Sequence, residues 1–563
     1  MSNDHDLNLN DAANHFDIPA GDVDAVVSRG RTRAQRRRAV MATVTTIAVV
    51  TGAASFIGTR GTDGDGDNTN VAAEVSGEAK VGDDQFTWTR SESAKGLTWA
   101  PAVSGSGQLY ALSTGPGERM SESVRQNGHV YRSSDGVDWQ SVSRLGSDMF
   151  LSDLAPSSER LYAVGTGPAT AVAGRTAKSS ELIAGWSDDG GETWSKAALP
   201  FDMRAVAAKS LNSSVADTEV AASPKGTLAA AVVRAVLDVP TLLPGGATAP
   251  NGWATTANGV DVLGPKKSQS VCPAGTTAEK GGDPGQPRAT EVGPTYCYDE
   301  NAPDRSSTTV VSPQDARGVT ASYTWDELGV TGDVQRAARG ELLAFFAEPG
   351  STDFVRVDTG SQQAGAPLLA IAAEDGFDIV KSSSPKPMGP GSMSVLHSAD
   401  GRTWAPASTD SRMAFASYAG LLGSTPVVLG GTEQGAPVMM RRTPTGWVST
   451  DLSPLVARPA NAEVYIGSAG VGPAGAALSI SVMETQEKDG RTEPRGEPVN
   501  HLLTTRDGVT WHDQSVDELA GRKVGGVGMV VVTGERIVVS TYLPKTDGKA
   551  ETAPRLTLIG TPR

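Results

Sequence analysis

The residue types that carry most enzyme and metal chemistry are sparse in this chain and poorly spaced for cooperation. Beyond residue 85 the only histidines are His129, His397, His501 and His512, and no two stand at the spacing that brings two imidazoles to one ion. His397 lies beside an Asp-Gly turn and His512 follows a tryptophan, positions that suit packing or exposure. Cys272 and Cys297 are the only cysteines, and two thiols without neighbouring histidines cannot complete a zinc tetrahedron. Asp63, Asp65, Asp67 and Glu74 fall at positions 1, 3, 5 and 12 of a calcium loop. Asn68 replaces the glycine of that loop, however, Asn70 takes the place of an apolar residue, and no flanking helices are evident. No Gly-x-Ser-x-Gly elbow, phosphate loop or dinucleotide fingerprint occurs in a strand-to-helix setting. The sequence therefore assigns no catalytic residue, no metal and no cofactor.

What does recur is a turn. Its fullest form is Ser187-Asp188-Asp189-Gly190-Gly191-Glu192-Thr193-Trp194. Forms one residue shorter run from Ser133 through Asp135 and Gly136 to Trp139, from Ser398 through Asp400 and Gly401 to Trp404, and from Thr505 through Asp507 and Gly508 to Trp511. An Asp-Gly pair turns a chain tightly because glycine accepts positive φ while the carboxylate accepts backbone N–H groups. The indole then buries a large apolar area, making each turn a local staple. These four segments resemble the Asp-box, or BNR, repeat of sialidases and other propellers. The resemblance implies a β-propeller in which the turns join third to fourth strands at the blade periphery, away from any active site.

Degenerate copies fill the gaps. Thr445-Gly446-Trp447 and Tyr323-Thr324-Trp325 end further hairpins, and Trp88 lies in a strand, 86–90, with no partners before it. The last strands, 536–542 and 555–560, lack a box and a fourth strand, so pairing with the Trp88 strand would complete one blade from both ends of the chain and remove two open edges. Counting fourth strands at Trp88, Trp139, Trp194, Trp325, Trp404, Trp447 and Trp511 predicts seven blades; an eighth could hide between Trp325 and Trp404. High Gly and Pro counts and few aromatics agree with an all-β class.

The domain plan follows from charge and hydropathy. Residues 39–58 are twenty uncharged residues, and a helix of that length rises roughly 30 Å, enough to cross a bilayer. Six arginines between 29 and 38 precede the span, which places residues 1–38 in the cytoplasm and the remainder outside. A signal peptide cleaved near Ala53-Ala54-Ser55 is the competing reading of the same span. Residues 59–84 read as a flexible tether and 85–563 as the propeller, with a large insertion at about 236–318. Residues 1–38 carry as many Arg as Asp, so the whole formal charge of -15 lies beyond them and argues against nucleic acid as a partner. In an oxidising compartment Cys272 and Cys297 are expected to form a disulfide worth about 3 kcal/mol, two free thiols being the alternative.

Two functions remain in view. The first is a membrane-anchored bacterial binding or scaffold module for an envelope protein, a peptide or a glycan. The second is a glycan-cleaving hydrolase of the sialidase-like group, for which the resemblance calls for an arginine cluster, a Tyr with a neighbouring Glu, an Asp acid and an Arg-Ile-Pro signature. That signature is missing, and the nearest approach is Arg458-Pro459. Binding is therefore the preferred expectation. The long connections 114–128, 167–181, 236–318, 381–392, 485–500 and 543–553 all follow second strands, which puts them on one face opposite the Asp-Gly turns.

Overall fold

The computed structural model describes residues 77–563 except 92–101, 106–107, 114–127, 173–177, 250–251, 257, 265–275, 281–294, 300–307, 312–318, 361–363, 383–392, 410–411, 460, 489–490 and 543–554. The expected cytoplasmic segment 1–38 and the span 39–58 lie outside the described residues. Among the described residues, no helix is long and apolar enough to cross a membrane.

The chain is all-β with a few short helices. Among the described residues its frame is seven sheets that each contain an antiparallel four-stranded meander. In chain order the first strands of these sheets are Ala102–Gly105, Phe150–Pro156, Ser210–Ser223, Gly365–Ala373, Phe415–Leu422, Ala462–Gly472 and Gly526–Val532. The fourth strands are Gln140–Arg144, Ser195–Ala198, Val355–Val357, Ala405–Pro406, Gly446–Asp451, Thr510–Ser515 and, from the other end of the chain, Phe86–Ser91. Phe86–Ser91 pairs along its whole length with Arg555–Pro562, so both ends of the chain build the seventh sheet.

First strands of successive sheets touch one another, and each pair of neighbouring sheets encloses its own buried cluster. Leu109, Ala111 and Trp139 of the first sheet pack with Met529, Val531 and Val538 of the seventh. This sandwiching explains a sequence pattern. In Gly226–Leu237, Leu228, Ala230 and Val232 face one cluster while Ala229, Ala231 and Val233 face another, so the strand reads as an unbroken apolar run. A strand buried on both faces has no reason to alternate. At the rim the logic reverses: Ser195–Ala198 is exposed throughout.

Three expectations are corrected here. Trp325 does not open a fourth strand; it sits in a separate cluster with Leu237, Val260, Leu328 and Val334, within the insertion. The fourth strand of the third sheet is instead Val355–Val357, whose short sequence has no tryptophan to announce it. The stretch 59–84 is not a free tether to its end, because Gly77–Glu78 and Lys80–Val81 pair in parallel with the outer strands of the fifth and sixth sheets. Those outer strands are six residues long, and a long open edge is stabilised by a covering strand. The insertion is also larger than 236–318: it runs from the end of Gly226–Leu237 to the start of Leu342–Ala347 and includes the helix Gly332–Arg339.

Candidate functional site

The four Asp-Gly turns join third to fourth strands in the first, second, fourth and sixth sheets. In the first, the Ser133 hydroxyl donates to Asp135 at 3.0 Å and accepts the Gly136 N–H at 2.8 Å. Asp135 accepts the N–H groups of Val137 and Asp138 at 2.8 and 3.0 Å, and the Trp139 indole donates to the Gly136 carbonyl at 3.0 Å. The longer turn absorbs its extra residue by using Gly191 for the N–H to Ser187 at 2.7 Å, with Thr193 donating from both N–H and hydroxyl to Asp189. Ser398, Asp400 and Trp404 repeat the pattern around Gly401. Thr505 and Asp507 repeat it with Gly508, but the fully buried Trp511 indole N–H has no partner among the described residues.

These bonds stabilise the ionised carboxylates. Donation from the Thr193 hydroxyl, then from its N–H, lowers Asp189 to about 2, and the N–H groups of Thr403 and Arg402 lower Asp400 to about 2. Burial works against ionisation of Asp135 and Asp507, yet their backbone donors prevail and both stay below the ordinary carboxylate value. A carboxylate so fully engaged by its own turn has little capacity left for proton transfer.

The turn glycines also dock one sheet on the next. Gly136, Gly191, Gly401 and Gly508 all have positive φ. An added Cβ would meet Val538 of the seventh sheet, Val130 of the first, the Phe346 ring of the third and Leu422 of the fifth, respectively. Each turn therefore abuts the preceding sheet in the chain, with the seventh preceding the first.

Several polar groups gather away from the turns. In six of the seven sheets the first two strands slip register, twice in the third sheet and once in each of the others. Such bulges re-aim side chains. Asp153, at one slip, accepts the Val220 N–H of the third sheet at 2.9 Å; Asp217, at the next, accepts the Leu368 N–H of the fourth at 2.9 Å. Ser468 likewise accepts the Val530 N–H at 3.0 Å. Fully buried Asp378 accepts from Arg442 of the neighbouring sheet at 2.7 Å and lies 2.9 Å from His397 Nδ1. His501 sits 3.0 Å from Asp513, His512 lies 2.9 Å from the Gly82 carbonyl, and His129 lies 3.0 Å from Ser141. On the first strand of the sixth sheet Tyr465 donates to Glu463; burial, then Glu463, pushes the phenol up to about 12. No local motif announces these groups, since Asp378 and Arg442 are separated by 64 residues. Among the described residues, no three His, Cys, Asp or Glu side chains could hold a metal ion together.

The long connections leave one end of the sheets. Segments 114–128, 167–181, 381–392, 485–500 and 543–553 join second to third strands, and the insertion does the same in the third sheet. Antiparallel succession puts these connections opposite the Asp-Gly turns. The insertion has its own core around Trp325, over which Arg339 stacks at 5.7 Å. Cys297 lies in a strand paired with Ala278 and Thr309; Cys272, and with it the expected disulfide, falls outside the described residues.

At the outer rim between the first and second sheets lies a cleft of about 250 Å³. Its walls include Arg144, Asp148, Met149, Glu192, Trp194 and Lys196. The Trp194 indole donates to the Gly191 carbonyl at 3.0 Å and lies 3.3 Å from the Ser143 hydroxyl, which fixes the ring. Lys196 donates to both the carboxylate and the carbonyl of Asp148, and the ammonium holds the Asp148 carboxyl below its ordinary value.

No protein-family model and no curated protein matches the chain. Solved structures similar to it include the phage phi92 endosialidase, at 12% identity over 73% of this chain and 66% of that one, with a TM-score of 0.29. A Trypanosoma rangeli sialidase in complex with sialic acid is 11% identical over 86% of this chain, with a TM-score of 0.28, and the alignment spans only 60% of the sialidase. An α-L-arabinofuranosidase from Fusarium graminearum is 8% identical over 77% of this chain and 99% of that one, with a TM-score of 0.31. Overlaps this slight carry no conclusion about activity, and the architecture rests on the strand pairings.

Proposed function

We propose that the chain is a seven-bladed Asp-box β-propeller, anchored by residues 39–58 with its N-terminus in the cytoplasm, that binds or scaffolds an envelope partner outside the membrane. In this reading the four Ser/Thr-Asp-Gly-Trp turns are structural boxes, and Cys272 and Cys297 close the insertion with a disulfide. The observation that carries it is the asymmetry of the two ends of the sheets: one end bears compact turns, the other bears every long connection and an insertion with a core of its own. Loops of this length on a rigid frame are where binding residues concentrate. The partner is an envelope protein, a peptide or a glycan. Crosslinking and mass spectrometry on native membranes test this directly. Replacing 238–341 with a short Gly-Ser turn is expected to abolish recovery of the crosslinked partner, while charges placed on the exposed residues of the Asp-Gly turns leave it intact. The opposite pattern would sink the assignment of faces.

A second reading, a glycan-cleaving hydrolase, is favoured by one observation, the Tyr465–Glu463 pair on a first strand. A phenol held at about 12 needs its carboxylate neighbour to take the proton before it can attack an anomeric carbon. Release of 4-methylumbelliferone from a panel of its glycosides, lost in Tyr465→Phe, would favour this reading; no release from any of them favours binding.

A further inference from the structure

We propose that the rim cleft between the first and second sheets is a saccharide subsite that takes one uncharged pyranose ring. It lies apart from the insertion and does not depend on the reading of the elaborated face.

Three observations converge on that ligand class. The first is the aromatic wall. Trp139, Trp447 and Trp511 are buried, whereas Trp194, like Trp404, is only partly buried, and Trp194 stands in the wall of an open cleft. Its ring is locked by its bonds to Gly191 and Ser143, so a flat apolar platform is already in place. Such a face suits the C–H side of a sugar ring, and pre-organisation lowers the cost of binding.

The second is charge. Asp148 and Glu192 are matched by Arg144 and Lys196, and Lys196 is already paired with Asp148 at 2.6 Å. Glu192 in turn lies 3.9 Å from Arg132, so both lining carboxylates have cationic partners and neither stands as an unneutralised charge. The cleft does offer both strong acceptors and strong donors at its edge, the combination that alternating hydroxyls require. The third is size. At about 250 Å³ the space lies just under the roughly 300–1,000 Å³ of small-molecule pockets, which limits it to a small ligand. A single ring fits, and a folded peptide does not.

The test is ligand-observed NMR on the purified full-length chain with four probes: methyl β-glucoside, methyl α-mannoside, methyl β-galactoside and N-acetylglucosamine. At least one is expected to receive saturation at its ring C–H protons, and its Kd should rise about tenfold or more in Arg144→Ala and in Glu192→Ala, the effect of losing one polar contact to a charged group. Both side chains are exposed, so the fold should not depend on them; an unchanged thermal transition verifies this. If either variant shifts the transition, Arg144→Gln and Glu192→Gln serve in its place, with the same rise in Kd expected. Absence of transfer to all four probes, or a Kd unmoved in both positions, overturns the proposal. Stronger binding of glucuronate than of the neutral probes overturns it as well, because it would mean that charge dominates. The titration uses no partner protein, so its outcome is separate from that of the crosslinking experiment.

Discussion

The seams between sheets fall into two kinds. Four of them, seventh to first, first to second, third to fourth and fifth to sixth, carry a turn glycine pressed against the preceding sheet. The other three lack an Asp-Gly turn, and each carries a polar tie; at the fourth-to-fifth seam Gly446, φ +131°, also presses on Ser408. Asp153 reaches the Val220 N–H between the second and third sheets. Arg442 reaches Asp378 and Asp375 between the fourth and fifth, and Ser468 reaches the Val530 N–H between the sixth and seventh. The first kind of staple is encoded within eight residues or fewer; the second joins residues that are distant in sequence. The tie does not require the absence of a staple, since Asp217 reaches the Leu368 N–H at the third-to-fourth seam, where Gly401 also presses on Phe346.

The largest effect is expected where a tie holds a buried charge. Asp378→Ala removes the buried one of the two counterions of Arg442, itself only 14% exposed, leaves exposed Asp375 as its partner, and should cost about 3–4 kcal/mol in urea unfolding. A cost under about 1 kcal/mol would mean that the seam is held by its apolar cluster alone. Next comes a staple: Gly401→Ala puts a methyl group into the Phe346 ring at φ +73° and should cost about 2–4 kcal/mol. Gly508→Ala, whose Cβ would stand 3.0 Å from a flexible Leu422 methyl, should cost less, and equal costs would show that backbone strain, shared at φ +73° and +72°, outweighs docking. Asp153→Ala strands one buried N–H for about 1–3 kcal/mol, while Asp153→Asn keeps an acceptor and should recover part of the loss.

The smallest effect distinguishes the two kinds by pH. Asp189 and Asp400 stand at about 2 in the folded chain against about 3.9 unfolded, so their contribution is complete above pH ~4 and is lost as pH falls toward 2. Because both carboxylates are exposed, screening keeps this contribution modest. The double variant Asp189→Asn, Asp400→Asn should flatten the acid limb of the stability curve between pH 4 and 2. An unchanged limb would assign the acid sensitivity to other carboxylates.

This division also separates what the sequence disclosed from what it did not. Ser187, Asp189, Gly191 and Trp194 are close enough for their types and spacing to report a single hydrogen-bonded turn. The third sheet was misread because Tyr323-Thr324-Trp325 mimics the end of such a turn without its Asp-Gly, while the true fourth strand is only Val355–Val357. The polar ties were invisible because an isolated Asp153 or Ser468 has no local signature, and the bulge that re-aims it exists only once two strands pair. The rim cleft was hidden for a related reason. Trp194 was recognisable as a staple, but its half-exposed face depends on how the segment 145–149 packs beside it.

The two short strands at Gly77–Glu78 and Lys80–Val81 have a mechanical meaning. A pull on the chain from its N-terminal side first meets two residues held on the fifth sheet, then two on the sixth, and only then Phe86–Ser91, the strand through which the last sheet is completed. Each short clasp can yield and re-form at the cost of withdrawing only Ala79 from the cluster between those two sheets. They act as fuses in series, absorbing brief tension before it reaches the strand that completes the seventh sheet.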